Sequence, residues 1–339
     1  MIPTLAGAIL SLSTVGTFSF PGGSPNEFSA ALAEATGKSV VLLADAQQVM
    51  QPTPEGGRMA AEPAPIRKGE ARWDSEDELL NAITREWDLG GARTGDVLAL
   101  WPKGWPDGVV HQFHAAAYRA AFERTRPSVE PDADGRATFK TVGKQALLVA
   151  DARYLPGGDR LEVHWFHAWS YLAVSANAAQ PDDLLAAIAA ACGARLERSD
   201  RASALRFDPP EFRRRYVAKV LQQRLAARND YERATADFII EAMRAFTDSD
   251  LAEAFAREDG AVVRTVPQGS ALLAAFRARI AAVQSLEEDP RARISLLPAL
   301  QSLIGQMDLG APLRVEYVNP NGVVAALVRS RGGDATIHF

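Results

Sequence analysis

The period of the hydrophobic positions changes several times along the chain, and each change marks an element. Phe18 and Phe20 alternate with Thr17 and Ser19, which predicts a short strand closed by Pro21-Gly22-Gly23. Ser24-Pro25-Asn26-Glu27 predicts a helix start: Ser24 and Glu27 form a capping box, and Pro25 falls at the first helical position, where its missing N–H costs nothing. Phe28, Ala31, Leu32 and Ala35 predict one apolar stripe, Gly37 a left-handed stop, and Ser39 to Leu43 a buried strand. Gln47 to Ala64 has no period; with Pro52, Pro54, Pro63 and Gly56-Gly57 it reads as a loop or insertion. Ser75-Glu76-Asp77-Glu78 predicts a second capping box, for a helix lined by Leu79, Leu80, Ala82, Ile83 and Trp87 and ended by Gly90-Gly91. Asp96 to Trp101 predicts a strand stopped by Pro102. Two helices on one face of a small sheet make a compact α+β domain over residues 17–102.

Further on, Asp107 to Arg124 predicts a helix and the polar Arg126 to Arg136 a loop and boundary. Gln145 to Tyr154 and Asp159 to Phe166 flank Pro156-Gly157-Gly158, a hairpin signal, and Trp169 to Ala176 predicts the next strand. After Pro209-Pro210 the period becomes helical. Glu211 to Phe246 predicts a long helix broken near Asn229-Asp230, followed by helices over Ser249 to Arg257, Ser270 to Glu287 and Pro290 to Met307, the last bent at Pro298. Leu313 to Val318 and Val323 to Val328 predict a hairpin turned at Asn319 to Gly322, with Thr336 to Phe339 as an added edge.

The stretches Glu27 to Leu43 (EFSAALAEATGKSVVLL) and Ser75 to Leu89 (SEDELLNAITREWDL), each followed or closed by a strand, resemble the STN domain, the short domain at the N-terminus of secretins and TonB-dependent receptors. The resemblance covers Thr17 to Pro102 and departs from the family in the long Pro- and Gly-rich stretch of residues 47–69. A second frame supports it. Placing Thr17 on Ala173 without gaps puts Pro25 on Pro181, Phe28 on Leu184, Leu32 on Ile188 and Gly37 on Gly193, so a second related βαβ unit is expected near 173–208. The chain therefore divides into a signal-like segment (1–16), an STN-like α+β domain (17–102), a second α+β unit with a hairpin (103–209), and a helical region with a closing C-terminal hairpin (210–339).

Composition narrows the function classes. With 47% hydrophobic and 23% charged residues, the 339-residue chain is of globular type, and its net charge of −5 is not that of a protein built to coat nucleic acid. The lone Cys192 excludes an internal disulfide framework and a Cys-based structural zinc site. Leu5 to Gly16 has the length and character of a signal-peptide core but lacks a basic n-region. That segment and the resemblance together favour an extracytoplasmic, periplasmic location.

Candidate chemistry is sparse. The pairs His111/His114 and His164/His167 invite a metal reading, but residues three apart on a strand face opposite sides, so the second pair is not expected to share an ion. Trp73, Trp87, Trp101, Trp105, Trp165 and Trp169 cluster in the middle of the chain and suggest either a core or a stacking platform for sugars; Trp101 and Trp105 flank Pro102 and Gly104 and are read as exposed. Arg213, Arg214, Arg215, Lys219, Arg224 and Arg228 make a basic helix face opposed only by Glu211, a weak candidate for a membrane surface. GxSxG and P-loop motifs are absent, and no catalytic residue, cofactor or metal is assigned. The expectation is a non-catalytic protein–protein interaction or assembly module. Its contacts are expected along the edges Thr17–Phe20, Val97–Trp101 and Thr336–Phe339, through Val97, Leu98, Trp101 and Trp105, with Arg213, Arg214 and Lys219 as a second surface. The resemblance places it in an envelope system, with protein partners and no nucleic acid. The rival is a hydrolase or glycan-binding protein using the Trp-rich middle.

Overall fold

The computed structural model describes residues 16–53, 56–103, 131–141, 147–155, 161–168, 170–199, 202–257, 260–288, 293–294, 296–307, 312–318, 323–330 and 333–338, without the side chains of 46–62, 154, 303 and several positions in the last strands. It is an α+β protein. The helix expected over Asp107–Arg124, with His111 and His114, and Trp105 and Trp169 lie outside the described residues.

In chain order the strands are β1 (Gly16–Phe20), β2 (Ser39–Leu43), β3 (Ala46–Thr53), β4 (Gly56–Pro63), β5 (Gly69–Trp73), β6 (Leu89–Thr94), β7 (Val97–Pro102), β8 (Ala137–Lys140), β9 (Leu147–Leu148), β10 (Leu161–Val163), β11 (Tyr171–Ala179), β12 (Ala194–Arg198), β13 (Ser203–Phe207), β14 (Ala261–Thr265), β15 (Arg314–Val318), β16 (Val323–Ser330) and β17 (Gly333–His338). The helices are α1 (Pro25–Thr36), α2 (Glu76–Trp87), α3 (Trp165–Ala168), α4 (Pro181–Cys192), α5 (Pro209–Ala226), α6 (Asp230–Ala245), α7 (Asp248–Phe255), α8 (Ala271–Ala281) and α9 (Leu297–Gln306).

These elements fall into two compact units. One holds β1 to β9, β11, α1, α2 and α4; the other holds β10, α3 and the elements from β12 onward. The boundary differs from the expected one at residue 102. β11 pairs antiparallel with β2, Leu172 to Ser175 opposite Leu43 to Val40, and so extends the first sheet instead of opening a second unit.

In the first unit the sheet order is β6-β7-β2-β11-β8, with β9 also on β11. β2 and β7 run parallel, joined through α2, and β6 returns antiparallel along β7. Val40, Leu42, Leu98, Leu100 and Ala173 share one face and pack with Phe28, Leu32, Leu79 and Ile83 of α1 and α2. Those helices are covered in turn by Phe18, Phe20, Ala71 and Trp73 of the two-stranded ladder β1-β5. α4 packs on β2, β6 and β7, and all five residues of β2 are buried. Both faces of the strand are therefore dry, which explains its unbroken SVVLL run.

Several local expectations hold and several do not. Ser24 and Glu27 form the capping box, and Gly37 ends α1 at φ 67°. At α2 the second box does not form: Ser75 makes no side-chain cap, and Glu78 accepts from the Asp74 N–H instead (3.1 Å). Asp88, not a glycine, ends that helix in the left-handed region (φ 53°), and Gly90-Gly91 lie in β6. Ala35 is exposed and outside the apolar stripe. Residues 47–64 are not a loop, since β3 and β4 pair as a hairpin from Ala46–Pro63 to Thr53–Gly56. The turn expected at Pro156-Gly157-Gly158 lies outside the described residues, and the described flanks do not pair as a hairpin: β9 pairs with β11, a 3-10 turn follows over Val149–Tyr154, and β10 pairs parallel with β13. Pro298 does not bend a helix but starts α9, where proline's missing N–H does no harm.

The second unit packs α5 to α8 against the four-stranded sheet β14-β15-β16-β17. Its core joins Phe212, Phe238, Phe246, Phe255 and Tyr317, all nearly fully buried. β14 went unnoticed in the sequence because AVVRT is short and mostly exposed.

Candidate interaction surface

Val97 and Leu98 are each 1% exposed, and β7 lies between β6 and β2. The expected docking edge at Val97–Trp101 is therefore a central strand, with no free N–H or C=O row to offer. The edge sits one strand away, at β6, which pairs among the described residues with β7 alone. The sequence carried a usable signal for this, because Gly95-Asp96 separates two strand-like runs by two residues, a hairpin turn.

The register shows which backbone groups of β6 face outward. Leu89 stands opposite Pro102, which has no N–H, so that pair belongs to the non-hydrogen-bonded set. Alternation then assigns Gly90–Trp101, Ala92–Ala99 and Thr94–Val97 to the bonded set and turns the peptide groups of Gly91 and Arg93 away from β7.

Trp101 is buried, not exposed, and it explains Gly90. The indole lies across its cross-strand partner, and a Cβ on Gly90 would come within 2.1 Å of Trp101 Nε1. Gly91 faces α2, where a Cβ would meet Leu80 and Thr84 at 2.7 Å. The same device recurs at the two-stranded ladder, where the Trp73 ring covers Gly16. Trp87 donates its Nε1–H to the Arg67 carbonyl (2.9 Å) and packs on Phe18 and Phe28. These tryptophans are core members, so they offer no face for a sugar ring.

The turn end of β6 carries an ion cluster. Glu76, in the first turn of α2, meets Lys38 and Arg93 at 2.7 Å each, and Asp96 meets Lys38 at 3.0 Å. The Lys38 ammonium holds the Glu76 and Asp96 carboxyls below their ordinary range, and hydrogen bonding to Glu76 raises Lys38. Arg93 is thus tied down along the edge rather than projecting from it as a charge that would block strand addition.

At the other end of the sheet a buried polar network holds β8 on β11. The Thr141 hydroxyl donates to Asn26 Oδ1 (2.6 Å), the Thr141 N–H to the Val174 carbonyl (2.8 Å), and the Val174 N–H back to Thr141 Oγ1 (2.9 Å). The Ser39 hydroxyl accepts from the Asn177 N–H (2.9 Å) beside a bulge between Ala176 and Ala179.

The basic face of α5 is not the open surface expected. Arg213 donates to the carbonyls of Met243 and Phe246, which end α6, and pairs with Asp248 at 2.6 Å. Arg215 is 2% exposed and shares Glu211 with Arg214. Burial alone would raise Glu211, but the two guanidiniums overcome it and hold the carboxyl low. Arg224 pairs with Asp237. Glu211 is therefore not the only opposing acid, and tertiary contacts convert most of this face into helix-to-helix ties. Lys219 is half-buried on the same helix. The exposed apolar residues here are Leu221 and Leu225.

His164 and His167 lie not on a strand but at the start and within the single turn of α3, with ring centroids 6.2 Å apart. His167 is 1% exposed, and neither ring nitrogen has a hydrogen-bond partner. Among the described residues no group of three His, Cys, Asp or Glu side chains could hold a metal ion, and no helix is long and apolar enough to cross a membrane. Cys192 is buried at the end of α4. No protein-family model, curated protein or solved structure matches this chain.

Proposed function

We propose that this chain is a non-catalytic protein–protein interaction module of a bacterial envelope system, docking a partner strand on the outer edge of β6. The observation that carries the reading is the edge itself. It is six residues long, belongs to a sheet covered on both faces, and has neither proline nor lysine to discourage pairing. Backbone bonds at Gly91 and Arg93 would supply affinity, and the small residues Gly90, Gly91 and Ala92 let a neighbouring strand approach closely. The STN-like reading of residues 17–102 is supported by the order β1, α1, β2, β5, α2, β6, β7, with the β3-β4 hairpin as the insertion. The signal-like Leu5 to Gly16 supports a periplasmic location. β1 and β17 are also terminal in their sheets and remain secondary edges. The hydrolase or glycan reading gains nothing from the buried Trp73, Trp87 and Trp101.

Arg93 gives a direct test. Arg93→Pro removes an outward N–H and leaves the bonded pairs with β7 intact, whereas Arg93→Ala removes only the ion pairs. Capture of a partner from envelope fractions should be lost with Arg93→Pro and kept with Arg93→Ala, both proteins melting cooperatively. Equal capture by the two variants would remove β6 as the docking edge.

A further inference from the structure

His167 is a buried titratable group remote in sequence from the β6 edge. Its ring lies 5.1 Å from that of Phe166 and 6.4 Å from that of Phe207, centroid to centroid, within an aromatic cluster that includes Phe212 and Phe255. Both ring nitrogens are enclosed without a hydrogen bond of good geometry, a rare state for a buried polar group, and the Arg206 backbone, which favours the charged ring, is outweighed by burial. The groups facing it make protonation worse. On its own element there is His164, and from α5 there is Arg215, tied to Glu211. From β13 comes Arg206, whose guanidinium reaches outward to Glu162 and Glu197. From α7, Phe255 packs on the adjacent Phe166 ring. Among the described residues no carboxylate contact is directed at the ring; Glu211 is engaged by two guanidiniums.

We propose that His167 makes the seating of α3 acid-sensitive: protonating its enclosed ring releases α3 from the Phe207–Phe212–Phe255 cluster and exposes that aromatic surface. α3 is suited to such release. It is one turn long and is held by ring packing and by the Trp165 Nε1–H bond to the Phe255 carbonyl (2.8 Å). His164 is restrained in the closed form, its Nδ1 accepting from the Phe166 N–H (3.3 Å).

Burial pushes His167 down to about 3 from its ordinary 6.5, the neighbouring His164 ring and Arg215 guanidinium add to the fall, and the Arg206 backbone only partly offsets it. The open form titrates near the ordinary value. The open-to-closed ratio is then flat above pH 6.5 and rises as pH falls below it, by about 30-fold at pH 5.

Amide hydrogen exchange of the full chain, followed from pH 7.5 to 5 and corrected for intrinsic rates, reads this ratio at Phe166 to Ala168. The expected result is a rise of about 30-fold there, with no parallel rise at Val40 to Leu43. In His167→Leu the rise should shrink to the small part that His164 supplies. A flat wild-type profile, the same rise in His167→Leu, or a parallel rise at Val40 to Leu43 would each overturn the proposal. If His167→Leu fails to fold, ring C–H resonances of the wild type decide it: a His167 ring titrating near 6.5 in the closed protein refutes the switch, and one still neutral at pH 5 supports it.

Discussion

α1 and α4 begin and end alike and live in different surroundings. Each is twelve residues long, starts at a proline and stops at a left-handed glycine, Gly37 at φ 67° and Gly193 at φ 66°. The strand–helix–strand order of the internal repeat is present in both, with Leu184 to Cys192 fully helical. Yet α1 shows solvent a face containing Glu34 and Ala35, whereas Leu184, Leu185, Ala187, Ile188, Ala189, Ala191 and Cys192 of α4 are all buried. The strands also part company. β1 joins β5 and β2 joins β7 and β11, while β11 lies beside β2 and β12 pairs with β13. Local capping chemistry therefore fixes where a helix starts and stops, and long-range pairing fixes which of its faces is dry.

The repeat frame places Ala191 on Ala35. Ala191 is 0% exposed and Ala35 is exposed. Ala191→Glu should cost at least about 3 kcal/mol, because a carboxylate enters a position that is fully closed to solvent. Ala35→Glu should stay within about 0.5 kcal/mol. Urea unfolding of the pair measures both, and equal costs would mean that the two helices share one environment after all.

A smaller difference is expected at the stops. Gly37→Ala should cost about 1–2 kcal/mol for the left-handed backbone alone, since a Cβ there meets nothing within 4 Å. Gly193→Ala carries the same cost and adds a clash, because the new Cβ would lie 3.0 Å from the guanidinium carbon of Arg215, a buried side chain with little room to swing. Thermal melting should rank Gly193→Ala below Gly37→Ala, and the reverse order would contradict the contact.

The starts give the smallest effect. Ser24→Ala removes the hydroxyl that accepts from the Glu27 N–H (3.2 Å) and should cost about 1 kcal/mol. Gln180→Ala, at the matching position, should cost only a few tenths, because glutamine is not among the side chains that favour a helix start. The Ser24 N–H and hydroxyl hold the Glu27 carboxyl below its ordinary 4.5. Its contribution is thus complete above that value and fades as pH falls below it, so the Ser24→Ala deficit should narrow in acid.

The features legible from the residues alone are local. Ser24, Pro25, Glu27 and Gly37 set the limits of α1 through bonds spanning four residues or fewer, and the run SVVLL announced a strand with two dry faces. Asn229-Asp230 placed the break between α5 and α6, where Asn229 accepts from the Glu232 N–H (2.9 Å). Such features need no knowledge of distant residues. The tertiary structure alone decided that β7 is central and β6 the edge, because pairing order depends on β2 and β11, dozens of residues away. It alone turned the α5 arginines toward Asp237, Asp248 and the end of α6, and folded Trp101 onto Gly90. It alone enclosed His167 without a hydrogen bond of good geometry and set it against the Phe207 ring of β13. Charge and aromaticity are visible in a sequence; whether they meet a partner or solvent is settled by which elements pack together.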